Sequence, residues 1–270
     1  STMIGTGSND STRVMGIFEN VLPSGNRELL VITKKFLYTY NSGTNAFDLI
    51  SFNARISGFP GAFDFGINSN FQYVSGTTYL KTDGTQRFVY TGTGLAEAPQ
   101  TGIENYSAVY FYDGSDIGDF FSPMDNPQAD NSLTEPSQGR MVRAVKVFFF
   151  NQRLNFLSPT IDSTLYNQGV LYSGIKDSSG QGDQFNVVGS GLLKVSTYEN
   201  MQGGLILGDV MILNFQKSNW VLEQTRDAFN PYFSRKIPSV LGTDAPFSSV
   251  AWDYEIKSAG KTGMITTDGR

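Results

Sequence analysis

The sequence predicts an all-β fold of the β-propeller type with about five blade-like units, and three observations predict it. Short apolar runs recur in pairs along the chain. Several of these runs are continuously apolar instead of alternating, as expected of strands covered on both faces. Gly, Asn and Asp punctuate the runs, and no capped amphipathic segment of helical length interrupts them.

The pairs come in order as 29–33 (LLVIT) with 36–40, 71–74 with 78–80, 147–150 (VFFF) with 153–157, 205–207 (LIL) with 210–215, and 250–252 with 255–256. Their pivots fall near Lys34, Ser75, Asn151, Gly208 and Asp253, so the spacings are 41, 76, 57 and 45 residues. A four-stranded propeller blade takes about 40–50 residues. Further strands are expected at 219–224 (NWVLEQ) and 232–237 (YFSRKI), with Pro231 and Pro238 marking strand ends. In the second unit 87–90 and 108–112 are expected as outer strands, near the turn-forming pairs Asp83-Gly84 and Asp113-Gly114. Inner strands are expected to be buried on both faces and outer strands to alternate. A β-sandwich or barrel is the alternative for short strands at such spacing.

The chain is read as one domain, 1–270, with long loop insertions near 92–106 and 122–140, both rich in small and turn-forming residues. It starts without Met and stops just after a hairpin-like segment, which suggests a fragment or a processed chain. No apolar stretch approaches the roughly 20 residues of a membrane-spanning helix.

Composition narrows the chemistry. The 270 residues include 21 Phe and 13 Tyr, enough aromatic surface for a sizeable core. There is no Cys and no His, which removes thiol nucleophiles, His-based triads and the usual zinc ligands. The formal net charge is −5 without a basic run, so sequence-specific nucleic-acid binding is not expected. The Gly-rich stretches lack the Lys-Ser/Thr of a phosphate loop and are read as turns. Asp113, Asp116 and Asp119 lie within seven residues and form a candidate calcium site, although the spacing is not that of an EF-hand. Carboxylates for a glycosidase pair could come from Asp113, Asp116, Glu199, Glu223, Asp253 and Glu255, with nothing to fix any two at the required separation. The expectation is therefore a non-enzyme without cofactor or catalytic residue.

The second half of the chain carries a more specific signal. Residues 151–156 (NQRLNF) and 172–177 (YSGIKD), then 203–225, 233–250 and 250–270, follow one another in a characteristic order. This series resembles the tail-hub, packaged-DNA-stabilisation β-propeller proteins of short-tailed bacteriophages. The chain departs from that pattern in having no Pro or Trp in 177–190. The resemblance implies a virion protein forming a ring, usually sixfold, with portal or adaptor proteins on one side. Fibre, spike or needle proteins would lie on the other, with DNA passing through. A carbohydrate-binding or adhesin-type propeller is the alternative function, and a propeller glycosidase a further one.

Overall fold

The computed structural model describes residues 13–22, 24–33, 36–50, 69–80, 86–96, 109–112, 114, 117–119, 141–161, 164–175, 185, 188–238, 241–245 and 248–268. Its strands form one antiparallel sheet after another in chain order. The first sheet is a meander of β1 (Val14–Val21), β2 (Arg27–Thr33), β3 (Leu37–Asn41) and β4 (Ala46–Leu49). The second repeats it with β5 (Ser69–Leu80), β6 (Gln86–Ala96), β7 (Val109–Tyr112) and β8 (Ile117–Asp119).

A short strand β9 (Met141–Arg143) precedes the third sheet, which contains β10 (Lys146–Phe150) and β11 (Arg153–Leu157). The chain then makes β12 (Thr160–Ile161) and β13 (Thr164–Leu165), which join β9 in a small side sheet of order β13-β12-β9. It returns to complete the third sheet with β14 (Gly169–Tyr172) and β15 (Gly191–Lys194). The fourth sheet is β16 (Met201–Leu207), β17 (Val210–Phe215), β18 (Asn219–Gln224) and β19 (Tyr232–Lys236). The fifth has three strands, β20 (Val250–Trp252), β21 (Glu255–Gly260) and β22 (Gly263–Thr267).

Local chemistry sets the register. Phe150 pairs with Arg153, Leu207 with Val210, and Trp252 with Glu255, so three hairpins close through two-residue turns. Positive φ is what such turns need to match strand twist. Asn151 and Gln152 supply it in the first (φ 51° and 58°), and Gly208 in the second (φ 62°).

First strands pack on first strands: β1 lies against β5, β5 against β10, β10 against β16, and β16 against β20. This serial, side-by-side stacking of meanders is the arrangement of a β-propeller, and it replaces the sandwich or barrel alternative. Each junction has its own apolar filling. Leu30, Ile32 and Leu37 meet Val74, Phe88 and Tyr90 between the first two sheets. Tyr79, Val89 and Val109 meet Val147, Leu154 and Phe156 at the next. Leu157, Val170 and Phe150 meet Met211, Leu213 and Phe215, and Ile212 and Val221 meet Ile256. Removing any one such side chain from water contributes roughly 1.5–3 kcal/mol.

Several expectations are corrected. Ser75 is not a pivot: β5 runs unbroken from Ser69 to Leu80, and its partner β6 begins at Gln86. The expected pair at 29–33 and 36–40 is present as β2 and β3, and Lys34 itself lies outside the described residues. Residues 87–90 belong to β6, a second strand, and Phe88, Val89 and Tyr90 are buried there. The segment 92–106 begins as strand, since β6 continues to Ala96; residues 97–106 and 122–140 lie outside the described residues.

Burial is also distributed differently from the expectation. The middle strands β11, β14 and β17 are the best covered, with every residue of β11 and β14 buried. The first strands β1 and β20 are mostly exposed or half-buried. A middle strand has a hydrogen-bonded neighbour on either edge and a sheet on either face, whereas a first strand leaves one edge open.

Candidate functional site

One cluster of buried polar groups lies where the third and fourth sheets meet. Phe150↔Arg153 and Asn155↔Tyr172 are directly opposed pairs, so these four side chains share the face turned toward the fourth sheet. Tyr232, at the start of β19, closes over them: its ring stacks on Phe150 at 6.2 Å and meets Tyr172 edge-on at 5.2 Å.

Arg153 is 4% exposed and lies at the centre of this cluster. Its Nη1 donates to the carbonyls of Ser173, at 2.7 Å, and Gly189, at 2.6 Å. The guanidinium therefore binds both ends of the connection between β14 and β15. Ser173 adds a second tie: its Oγ accepts from the Leu154 amide at 2.9 Å and donates to the Gly174 carbonyl at 3.0 Å. Gly189 has φ +80°, and a Cβ there would come within 2.7 Å of the Ala228 carbonyl oxygen, so glycine allows the β18–β19 connection to approach. Asn155 Nδ2 donates to the carbonyls of Phe150 and Arg153, and the Tyr232 hydroxyl donates to the same Phe150 carbonyl.

Electrostatics follow from burial. Desolvation lowers the Arg153 guanidinium and pushes the Tyr232 phenol up to about 12. Burial raises Tyr172 too, and the Arg153 charge offsets part of that rise. Among the described residues, Arg153 Nε, Asn151 Nδ2 and Asn155 Oδ1 are buried without a hydrogen-bond partner. One cation, two phenols and an amide make up the set. They are suited to clamping loop backbone by hydrogen bonds, and the set contains no carboxylate that could act as a general base.

A second buried cation, Lys146, spans the same junction nearer the first strands. Its Nζ donates to the Gly204 carbonyl at 3.1 Å and lies 5.8 Å from the Phe148 ring centroid. Desolvation lowers its pKa to about 8.

The sequence-derived candidates stand elsewhere. Asp113 and Asp116 lie outside the described residues; Asp119 ends β8, and its side chain is likewise outside them. Among the described residues no group of three or more His, Cys, Asp or Glu could hold a metal ion. The glycosidase candidates are engaged locally. Glu199 accepts from the Lys217 amide at 2.7 Å and the Ser218 hydroxyl at 3.0 Å. Glu223 pairs with Arg235 at 2.6 Å, Asp253 lies in the exposed β20–β21 turn, and Glu255 begins β21 just after it. Arg153 carries no catalytic or ligand-binding motif in the sequence. A lone charge within an apolar strand was the available signal.

These features define the class: a β-propeller of contiguous antiparallel sheets, braced at one junction by buried cations. No protein-family model and no curated protein matches the chain. Among solved structures it is similar to the extracellular domain of a one-component system from B. thetaiotaomicron, with 10% identity and a TM-score of 0.44 over 89% of this chain and 26% of that one. It is similar also to YCF48 from Cyanidioschyzon merolae, with 9% identity and a TM-score of 0.43 over 88% of this chain and 65% of that one. The Dos1 propeller aligns at 11% identity and a TM-score of 0.39 over 94% of this chain and 67% of that one. The chain thus spans less than two thirds of the first two structures. Among the described residues no helix is long and apolar enough to cross a membrane.

Proposed function

We propose that the chain is a structural subunit of a phage tail hub or nozzle, a non-catalytic part that links portal-adaptor proteins to distal tail proteins. The observation that carries this reading is the ordered motif pair NQRLNF and YSGIKD at 151–156 and 172–177. The bond from Arg153 to the Ser173 carbonyl and the bond from Leu154 to the Ser173 hydroxyl support it, because they give the paired motifs a joint structural purpose. In this role the protein occurs in the virion tail as a homo-oligomeric ring, sixfold by the resemblance, with DNA passing through. Its net charge of −5 accords with a conduit that must not grip phosphates.

Mass spectrometry of purified virions tests the reading, together with antibody labelling in electron micrographs. The expected result is the intact protein at a copy number typical of tail rings, with label at the tail vertex. Absence from virions of a phage that expresses it overturns the proposal.

A carbohydrate-binding role is the second reading, and the exposed aromatic side chains of Phe229 and Tyr254 favour it. Such rings can present a flat apolar face to a sugar. Glycan-array binding that is lost in Phe229→Ala or Tyr254→Ala would select it.

A further inference from the structure

We propose that the junction between the fourth and fifth sheets is an opening seam, along which the fifth sheet parts from the fourth as a unit and closes again while the third and fourth stay together. The inference rests on the chemistry of this one junction, and uses neither the tail reading nor the outward face of any sheet.

The strands β17 and β18 carry two unlike faces. The pairs Met211↔Leu222 and Leu213↔Trp220 turn toward the third sheet, where Phe150, Leu157, Val170 and Tyr172 meet them. The alternate pairs Ile212↔Val221 and Asn214↔Asn219 turn toward the fifth sheet. Half of that second face is therefore amide, although both Asn214 and Asn219 are only 2% exposed. Among the described residues, the fifth sheet adds Ile256 alone to the apolar cluster of Ile212, Val221 and Ile237.

Side-chain hydrogen bonds make up the rest of the junction. Asn214 Nδ2 donates to the Ser249 hydroxyl, which lies 2.8 Å from the Ser258 hydroxyl. Asn219 Nδ2 donates to the Thr267 hydroxyl at 3.3 Å and to the Leu241 carbonyl at 3.1 Å. Such bonds hold a junction weakly, because water replaces each partner when the two sides separate. Apolar contact has no such substitute, and the third–fourth junction has far more of it.

Two oxygens weigh against the closed form. Asn219 Oδ1 and Thr243 Oγ1 are buried without a hydrogen-bond partner. Thr243 belongs to a segment laid against the fourth sheet, where its amide donates to the Phe215 carbonyl at 2.8 Å. The end of β21 covers this segment: a Cβ on Gly260 would lie 3.1 Å from the Gly242 carbonyl oxygen. Lifting the fifth sheet admits water to both oxygens and relieves their desolvation.

Thiol labelling of the folded chain is the test, since the sequence has no cysteine. Val221→Cys and Leu222→Cys each place one thiol on neighbouring residues of β18, both 0% exposed, the first facing the fifth sheet and the second facing the third. In the full chain without denaturant, the Val221→Cys thiol is expected to label on the order of a hundredfold faster than the Leu222→Cys thiol. That ratio is what one or two extra buried apolar side chains make. Adding Thr243→Val to Val221→Cys removes an orphaned hydroxyl at nearly constant volume, and is expected to slow labelling about tenfold. Ile212→Cys and Met211→Cys repeat the comparison on β17 should a β18 variant fail to fold. Equal labelling of the two neighbouring thiols overturns the proposal, because unfolding of the strand or of the whole chain exposes both. So does a Val221→Cys thiol no more reactive than global unfolding allows, and so does labelling that Thr243→Val leaves unchanged or speeds up.

Discussion

The Ser75 hydroxyl reaches across 72 sequence positions to both polar groups of Val147, lying 3.2 Å from its amide nitrogen and 3.3 Å from its carbonyl oxygen. Thr91, directly opposite Ser75 in the register, does the same for Ala144, 3.1 Å from the amide. Side chains of the second sheet thus complete backbone hydrogen bonds at the entry to the third.

Replacing Ser75 with Ala, or Thr91 with Val, leaves a buried amide without its partner. Each change is expected to cost about 1–3 kcal/mol, read as a lowered midpoint in urea unfolding. The two sites adjoin, so the double variant should depart from additivity.

Arg153→Ala removes the donor shared by the Ser173 and Gly189 carbonyls. A loss of about 2–4 kcal/mol is expected. Hydrogen exchange should speed up at Leu154 and across the third sheet's β14–β15 boundary before it does so in the fifth sheet. Uniform acceleration throughout the chain would contradict a local clamp.

Stability should change with pH in a direction fixed by Lys146 and Tyr232. Lys146 has a folded pKa of about 8 against an ordinary 10.5, so between those values the unfolded chain holds a proton that the folded chain lacks. Stability therefore rises from pH 8 toward 10, by at most about 1.4 kcal/mol per pH unit. Tyr232 works in the opposite sense: with its phenol pushed up to about 12, the folded chain keeps a proton that the unfolded chain loses above pH 10. Stability falls there. Lys146→Met should flatten the rise and Tyr232→Phe the fall, measured by chemical denaturation across pH 7–11.

Gly242→Ala should be among the most damaging single-methyl additions. A Cβ at this position would lie 2.3 Å from both the Lys217 amide nitrogen and the Phe215 carbonyl oxygen, and backbone cannot move aside as a side chain can. A loss of about 3 kcal/mol or more is expected, read from the thermal midpoint.

Much of this architecture was legible in the sequence. The strands at 147–157, 205–215 and 219–224 emerge close to where apolar runs and turn residues put them. The misplaced pivot at Ser75 has a physical cause: a polar residue in an apolar run looks like a turn, yet here its hydroxyl caps a neighbouring sheet. The side sheet was invisible because β12 and β13 are two residues each, too short for any periodicity. Continuous apolar runs correctly signalled cover on both faces. They could not say that the middle strands of a sheet, not the first, receive most of it. The arginine cluster stayed hidden because its meaning lies in carbonyls of residues 173 and 189, which no side-chain pattern records.

The way each meander is built has a mechanical consequence. Among the described residues, apart from the third sheet, which admits β12 and β13 as a detour, every main sheet takes its strands consecutively along the chain, and no strand is lent to a neighbour. Tension applied across the described sheets would therefore meet no interlaced latch between them. Extension should proceed as separate ruptures, one meander peeling away at a time, with the junctions held by buried cations and hydroxyl bridges giving way last.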